Sequence, residues 1–237
     1  EKINSRLISS TLQIPTDSSN LCYACSTNKQ RNIISDYVFE KILDQNKSSS
    51  EGCVIIKSRI TDKRKQKFSD SFHNLVFRNC GDSLCEATNN NGRVDPCLKL
   101  YKGSPIMFTL NAEEEDNNYF CKGMTGLFEG IILKDGCSLR KEKWSNQYVN
   151  VVDVDDVEYM IISSINGKYS TIKIRPVEQT VSISLPIVAF STMKSKLSSL
   201  KITQIPIISN IATTGHKLQV TTKEKLIVID FNYSFKN

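Results

Sequence analysis

The chain has 237 residues, 39% apolar and 24% charged, an ordinary globular composition with enough apolar side chains to bury a core. Its net charge of +6 fits an anionic partner and equally a plain solvated surface, so charge alone excludes neither. No apolar run approaches the roughly 18 residues that span a bilayer, and Glu1-Lys2-Ile3-Asn4 lacks the charged-then-apolar layout of a signal peptide. No membrane partner is expected, and the expected location is intracellular, nuclear or cytoplasmic.

In chain order, Leu21-Cys-Tyr-Ala-Cys25 reads as a buried strand. Ser26-Thr-Asn28 supplies good helix-capping residues, and Lys29 to Gln45, with Ile34, Val38 and Ile42 every four residues, reads as a helix. Cys22 and Cys25 have C-x-x-C spacing, but residues three apart on a strand point to opposite faces, so no zinc site is expected. The eight cysteines are therefore read as reduced thiols, with Cys80 and Cys85 the least unsuited extra ligands if a metal were held. Asn46 to Gly52 is a polar linker, and Cys53-Val-Ile-Ile56 a second short buried strand. The basic run of Lys57, Arg59, Lys63, Arg64, Lys65 and Lys67 is either a solvated loop or a nucleic-acid contact.

After the loop Thr88-Asn-Asn-Asn-Gly92 the pattern changes to short strands: Pro105–Leu110, Gly126–Leu133, Tyr148–Val152, Glu158–Ser163, Tyr169–Ile174 and Val181–Ala189. With hairpin turns at Asp135-Gly136 and Asn166-Gly167, they suggest a small antiparallel barrel. Ile205 to Ile211 and Leu226 to Phe231 are unalternating apolar runs, suited to a sheet buried on both faces. The expected fold class is thus α/β, an α/β layer enclosing an inserted β module, with the closing strands rejoining the sheet begun at Leu21.

A strand that stops in Ser-Thr-Asn and opens a helix leaves backbone N–H groups and short hydroxyls at the carboxyl edge of a sheet, where phosphate or sugar oxygens are readily held. Plain capping of the helix by Ser26, Thr27 or Asn28 is the other reading. A second polar cluster, Ala212-Thr-Thr-Gly-His-Lys-Leu-Gln219, follows the late apolar strand, and sheet connectivity would bring both loops to one edge as a ligand crevice. Trp144 with Lys141, Lys143 and Tyr148 either stacks on bases or packs on the protein, whereas His73 and Phe72 read as packing.

These clusters carry a family resemblance. Thr214-Gly-His-Lys-Leu-Gln219 after Gln204-Ile-Pro206 resembles motif V of superfamily 1 DNA helicases of the petite-integration-frequency type and their Helitron transposon relatives. Cys25-Ser-Thr-Asn-Lys-Gln-Arg-Asn32 resembles the Thr-Asn-Lys-x-Arg-Asn stretch opening the second RecA-like domain of those enzymes. Asp95 to Gly103, followed by Pro105-Ile-Met107, Asn111 and Gly123-Met-Thr-Gly126, is similar to a further ordered stretch of the family. The resemblance implies the carboxyl-terminal half of a helicase: a partial RecA-like parallel sheet (residues 1–100 and 201–237) interrupted by an SH3-like β-barrel (residues 101–200). It implies single-stranded DNA as partner, contacted by Thr214, His216, Lys217 and Gln219, and phosphate contacts from Thr27, Asn28 and Arg31. It also implies ATP and Mg2+ in the intact enzyme, held mainly by an amino-terminal half that is the other expected partner.

The sequence departs from that family at several points. Val220 stands where the family has glycine, and Lys122 where it has the asparagine of an Asn-Gly-Thr turn. There is no G-x-x-x-x-G-K-[ST] to cradle ATP phosphates, and Glu113-Glu-Glu-Asp116 reads as a hairpin tip rather than a magnesium site. The sequence reads as an excerpt that stops before the family's Leu-Ser-Arg motif, so this polypeptide alone is expected to hold no cofactor and not to hydrolyse ATP. A non-catalytic nucleic-acid-binding module, or the remnant of a mobile element, is the competing expectation.

Overall fold

The computed structural model describes residues 21–25, 28–45, 52–61, 94–113, 119–144, 147–164, 171–181, 200–214 and 225–228. The first group of elements is β1 (Leu21–Cys25), α1 (Asn28–Gln45), β2 (Cys53–Lys57) and β3 (Arg59–Thr61). The middle of the chain is strand-rich: β4 (Cys97–Tyr101), β5 (Pro105–Phe108), β6 (Ala112–Glu113), β7 (Tyr119–Phe120), β8 (Thr125–Leu133), β9 (Arg140–Trp144) and β10 (Gln147–Asp153). Then come β11 (Val157–Ser164), β12 (Thr171–Ile174), β13 (Val177–Val181), β14 (Leu200–Gln204), β15 (Ile207–Ser209), β16 (Ala212–Thr214) and β17 (Lys225–Val228). The described residues are therefore mostly β-sheet, and the expected α/β layer reduces among them to one helix on a three-stranded parallel sheet, β16-β1-β17.

Helix α1 forms where the four-residue spacing predicts it, and its buried stripe is Ile34, Val38, Phe39 and Leu43, with Ile42 at the margin. That stripe packs on Tyr23, Cys25, Ile211 and Ala212 on one side and on Cys53, Ile55, Tyr101, Val149 and Val151 on the other. The helix thus lies between the parallel sheet and a four-stranded sheet of order β4-β2-β10-β9. The other face of that sheet contributes Val54, Ile56, Leu98, Leu100 and Val152 to a second core. A five-stranded sheet, β12-β11-β8-β5-β15, closes this core with Ile106, Phe108, Phe128, Met160 and Ile162. Two smaller sheets, β13-β14-β3 and β6-β7, complete the description.

Several expectations change on this frame. The expected barrel strands do not close on one another among the described residues: both larger sheets are open, and Tyr148–Val152 lies in the four-stranded sheet rather than with its supposed barrel neighbours. The reason is pairing: β10 buries Val149 and Val151 on its helix-side face and Val152 on the other, and it pairs parallel with β2 and antiparallel with β9. A turn does form at Lys134–Cys137, closed by the Cys137 N–H donating to the Lys134 carbonyl at 3.0 Å. Yet it joins no hairpin, because β8 pairs with β5 and β11 whereas β9 pairs with β10. The apolar run Ile205 to Ile211 is divided as well. Ile207-Ile-Ser209 pairs antiparallel with β5, and only the chain from Ala212 rejoins β1. The other expected hairpin at Asn166-Gly167 and nearly all of the Val181–Ala189 strand lie outside the described residues.

Two segments of the resemblance meet in a turn. Cys121 to Met124 is closed by the Met124 N–H donating to the Cys121 carbonyl at 2.9 Å, with Gly123 at φ +90° where an L side chain would be strained. The Lys122 N–H donates to Asn111 Oδ1 at 2.6 Å. Lys122 occupies the position of such a turn that tolerates most residues, so the departure from asparagine leaves the turn intact. The acidic run begins at Glu113, the last residue of β6, which pairs antiparallel with β7; residues 114–118, and with them the rest of the expected hairpin tip, lie outside the described residues.

Candidate functional site

The site is built at the carboxyl end of β1. β1 pairs parallel with β16 so that Tyr23, Ala24 and Cys25 lie opposite Ala212, Thr213 and Thr214. The Tyr23 N–H donates to the Ile211 carbonyl at 2.9 Å, and the Cys25 thiol donates to the Thr213 carbonyl at 3.3 Å, a polar tie across the two strands. Parallel strands point their carboxyl ends the same way, so Cys25 and Thr214 end their strands at a common edge. β17 also runs parallel to β1 on its other side, with Ala24 opposite Val228. In open parallel sheets that edge is where ligands are held.

Of the residues singled out from sequence, Thr214 ends β16 half-buried at this edge. Asn28 begins α1. Arg31, in the first turns of α1, is only 5% exposed and donates from Nε and Nη2 to Asn32 Oδ1 at 3.3 and 2.9 Å. Thr27, His216, Lys217 and Gln219 lie outside the described residues, as does Val220.

Burial pushes the Cys25 thiol up from its ordinary value, with the charge of Arg31 pulling the other way without prevailing. Burial likewise raises the Asp95 carboxyl to about 6, against the N–H of Cys97, which donates to Asp95 Oδ1 at 3.0 Å, and the charges of Lys99 and Arg31. Arg31 thus acts electrostatically on both β1 and the segment leading into β4.

A residue whose role sequence reasoning missed is Gln204, fully buried. Its Nε2 donates to the carbonyls of Ile56 at 3.3 Å and Asp95 at 3.0 Å, and its Oε1 accepts from the Ile205 N–H at 2.9 Å. A glutamine between Ile202 and Ile205, two residues before Pro206 in an apolar run, was the available signal, since such a side chain must find partners inside.

The basic run is neutralised where it is described. Lys57 pairs with Glu142 at 2.7 Å, and Arg59 with Asp155 and with Thr203 Oγ1, each at 2.9 Å. Trp144 packs against the helix-side core with Lys99 Nζ 5.0 Å from its ring centre, which is the packing alternative for that residue. Among the described residues no group of three His, Cys, Asp or Glu is placed to hold a metal, and no helix is long and apolar enough to cross a membrane.

No family model matches the chain. Over 98 residues, 41% of the chain, it is 26% identical to collagenase ColT of Clostridium tetani (strain Massachusetts / E88), a stretch amounting to 8% of that protein. Among solved structures the chain is similar to the Pif1 helicase from Bacteroides in complex with ADP-AlF3 and ssDNA, at a TM-score of 0.48 and 17% identity over 97% of this chain and 39% of that one. It is similar to the Pif1 helicase from Candida albicans at a TM-score of 0.47 and 16% identity, covering 93% of this chain and 41% of that one. Bacteroides Pif1 bound to ssDNA gives a TM-score of 0.45 and 17% identity over 91% and 36% of the respective chains. The chain therefore spans well under half the length of each of these helicases and a small fraction of the collagenase.

Proposed function

We propose that this chain is part of an ATP-dependent DNA helicase of the petite-integration-frequency type, contributing a grip on single-stranded DNA and one side of an ATP cleft. The observation that carries the reading is the parallel pairing of β1 with β16, with Cys25 opposite Thr214. Cys25 and Thr214 are the points at which the chain enters the two sequence segments that resemble helicase motifs, one near each end of the chain, which supports bringing them to one sheet edge. In this reading the partial sheet β16-β1-β17 belongs to a second RecA-like domain, and the open five-stranded sheet to an SH3-like insertion.

Thr214, His216, Lys217 and Gln219 are assigned to the loop that links strand binding to nucleotide state. Thr27, Asn28 and Arg31 are assigned to phosphate contacts. ATP and Mg2+ are bound mainly by a separate amino-terminal half carrying the phosphate loop, which this sequence does not contain. The chemistry this chain supplies is therefore positional: cations and loop N–H groups meet the strand and the nucleotide from one side, and closure of the two halves moves the strand.

The test is fluorescence anisotropy of a labelled oligo(dT) with the full-length protein, with and without a non-hydrolysable ATP analogue. Lys217→Ala is expected to weaken binding and to lower the salt slope by about 0.7, the loss of one single-strand phosphate contact. Unchanged affinity and unchanged unwinding overturn the assignment. Affinity that never responds to the nucleotide favours a non-catalytic binding module instead.

A further inference from the structure

The hairpin formed by β9 and β10 separates its charges by face. Register sets Arg140, Glu142 and Trp144 opposite Val151, Val149 and Gln147. This face turns toward α1: Val149 and Val151 are buried in the helix-side core, and Trp144 packs against it. Its charges are also paired, Arg140 with Asp153 at 2.9 Å and Glu142 with Lys57 at 2.7 Å. Gln147, at the end of the hairpin, donates to Asp44 on α1.

The opposite face differs in every respect. Lys143 lies opposite Tyr148, and Lys141 opposite Asn150. Tyr148 is 63% exposed, and both lysines are exposed. Neither lysine forms an ion pair among the described residues. This face continues that of Val152, which is buried beneath the five-stranded sheet; along it Asn150 is half-buried and Tyr148 exposed.

We infer that the Lys141–Lys143–Tyr148 face of the β9–β10 hairpin is a contact surface for single-stranded nucleic acid, separate from the edge formed by β1 and β16. The lysines are two residues apart on one strand, about 7 Å, and point the same way. Tyr148 stands directly opposite Lys143, about 5 Å away across the strands, and diagonal to Lys141, about 7–8 Å away. A row of cations next to an exposed ring matches an extended strand that offers phosphates on one side and unstacked bases on the other. No carboxylate belongs to this face of the two strands, so nothing there repels a phosphate. A tyrosine exposed between lysines has little to gain from protein packing, whereas a base supplies the missing π-face.

The surface goes beyond the proposed function, because it concerns different residues and survives if that reading fails. It is tested on the full-length protein by anisotropy with a labelled oligo(dT) and with an abasic oligomer of the same length. Tyr148→Ala is expected to weaken binding of oligo(dT) by about 5- to 150-fold, one base stack, with little change for the abasic oligomer. Tyr148→Phe keeps the ring and is expected to keep the affinity. The Lys141→Ala/Lys143→Ala double variant is expected to weaken both oligomers and to lower the salt slope by about 1.4. Melting temperatures are expected to stay at the wild-type value, because all three side chains are exposed. Unchanged oligo(dT) affinity in the Tyr148→Ala and double-lysine proteins overturns the inference while leaving Lys217 and its edge untouched. An equal loss for both oligomers on removing Tyr148 also overturns it, since a polyanion surface without base stacking behaves that way. A loss in the hairpin variants with no effect of Lys217→Ala upholds this surface and removes the edge reading.

Discussion

The side-chain amide of Gln204 donates to the main-chain carbonyl of Asp95, a residue 109 positions earlier, at 3.0 Å. The same amide donates to the Ile56 carbonyl, and the side-chain oxygen accepts from the N–H of Ile205. One buried side chain therefore fastens the end of β14 to β2 and to the entry of β4. Gln204→Leu removes these bonds and leaves buried main-chain groups without partners, each costing about 1–3 kcal/mol. Partial relaxation should hold the total near 2 kcal/mol, a fall of about 4–8 °C in melting temperature for a chain of this size. Gln204→Glu should be worse, because a carboxylate offers no hydrogen to the two carbonyls and is buried as a charge. Thermal unfolding of the two variants that matched wild type would show that Gln204 is no clamp.

Gly123 makes a sharper test of backbone geometry. At φ +90° a Cβ is strained, yet nothing lies within 4 Å of where that atom would be, so the cost of Gly123→Ala is conformational alone. About 1–2 kcal/mol is expected, read as a lowered melting temperature. Gly130, inside β8, has equally open surroundings and no positive φ, so Gly130→Ala should be neutral or mildly stabilising. Equal effects at the two positions would contradict the turn assignment. Loss of Asn111 Oδ1 in Asn111→Ala should cost less, near 1 kcal/mol, since the bond to Lys122 is exposed.

How much of this was legible beforehand follows from the range of the forces involved. Helix α1 and strands β1, β2, β8 and β11 announce themselves because local periodicity and buried runs are written in consecutive residues. The convergence of Cys25 and Thr214 on one edge also follows from sequence, since an apolar run ending in a polar cluster at both sites demands a shared parallel sheet. What was not legible is partner choice. Tyr148–Val152 reads as a strand from its alternation, but nothing local says that it pairs with Val54–Lys57 rather than with β11. The split of Ile205 to Ile211 between two sheets is hidden for the same reason: both halves are apolar, and only Asn210, whose N–H donates to the Pro105 carbonyl at 2.9 Å, marks the crossing. Gln204 stood in a quoted motif, but its partners lie in distant segments, which no spacing rule reveals.

The Asp95 carboxyl carries a pH signature of unusual sign. Burial raises it from 3.8 to about 6, opposed by the Cys97 N–H and the charges of Lys99 and Arg31 and assisted by Asp36. The folded chain therefore holds this proton more tightly than the unfolded chain, and it binds more protons between pH 4 and 6. Its contribution to stability falls as pH rises through that window and is level above it, opposite to a salt-bridged aspartate. The full shift corresponds to about 3 kcal/mol, and the residue's partial exposure reduces this to about 1–2 kcal/mol. Asp95→Asn keeps an oxygen for the Cys97 N–H and removes the titration, at the expense of some attraction from Lys99 and Arg31. Denaturant unfolding should show the variant more stable than wild type by about 1 kcal/mol at pH 7.5, with the difference closing by pH 4. Parallel stability curves across that range would mean that Asp95 titrates as an ordinary exposed carboxylate.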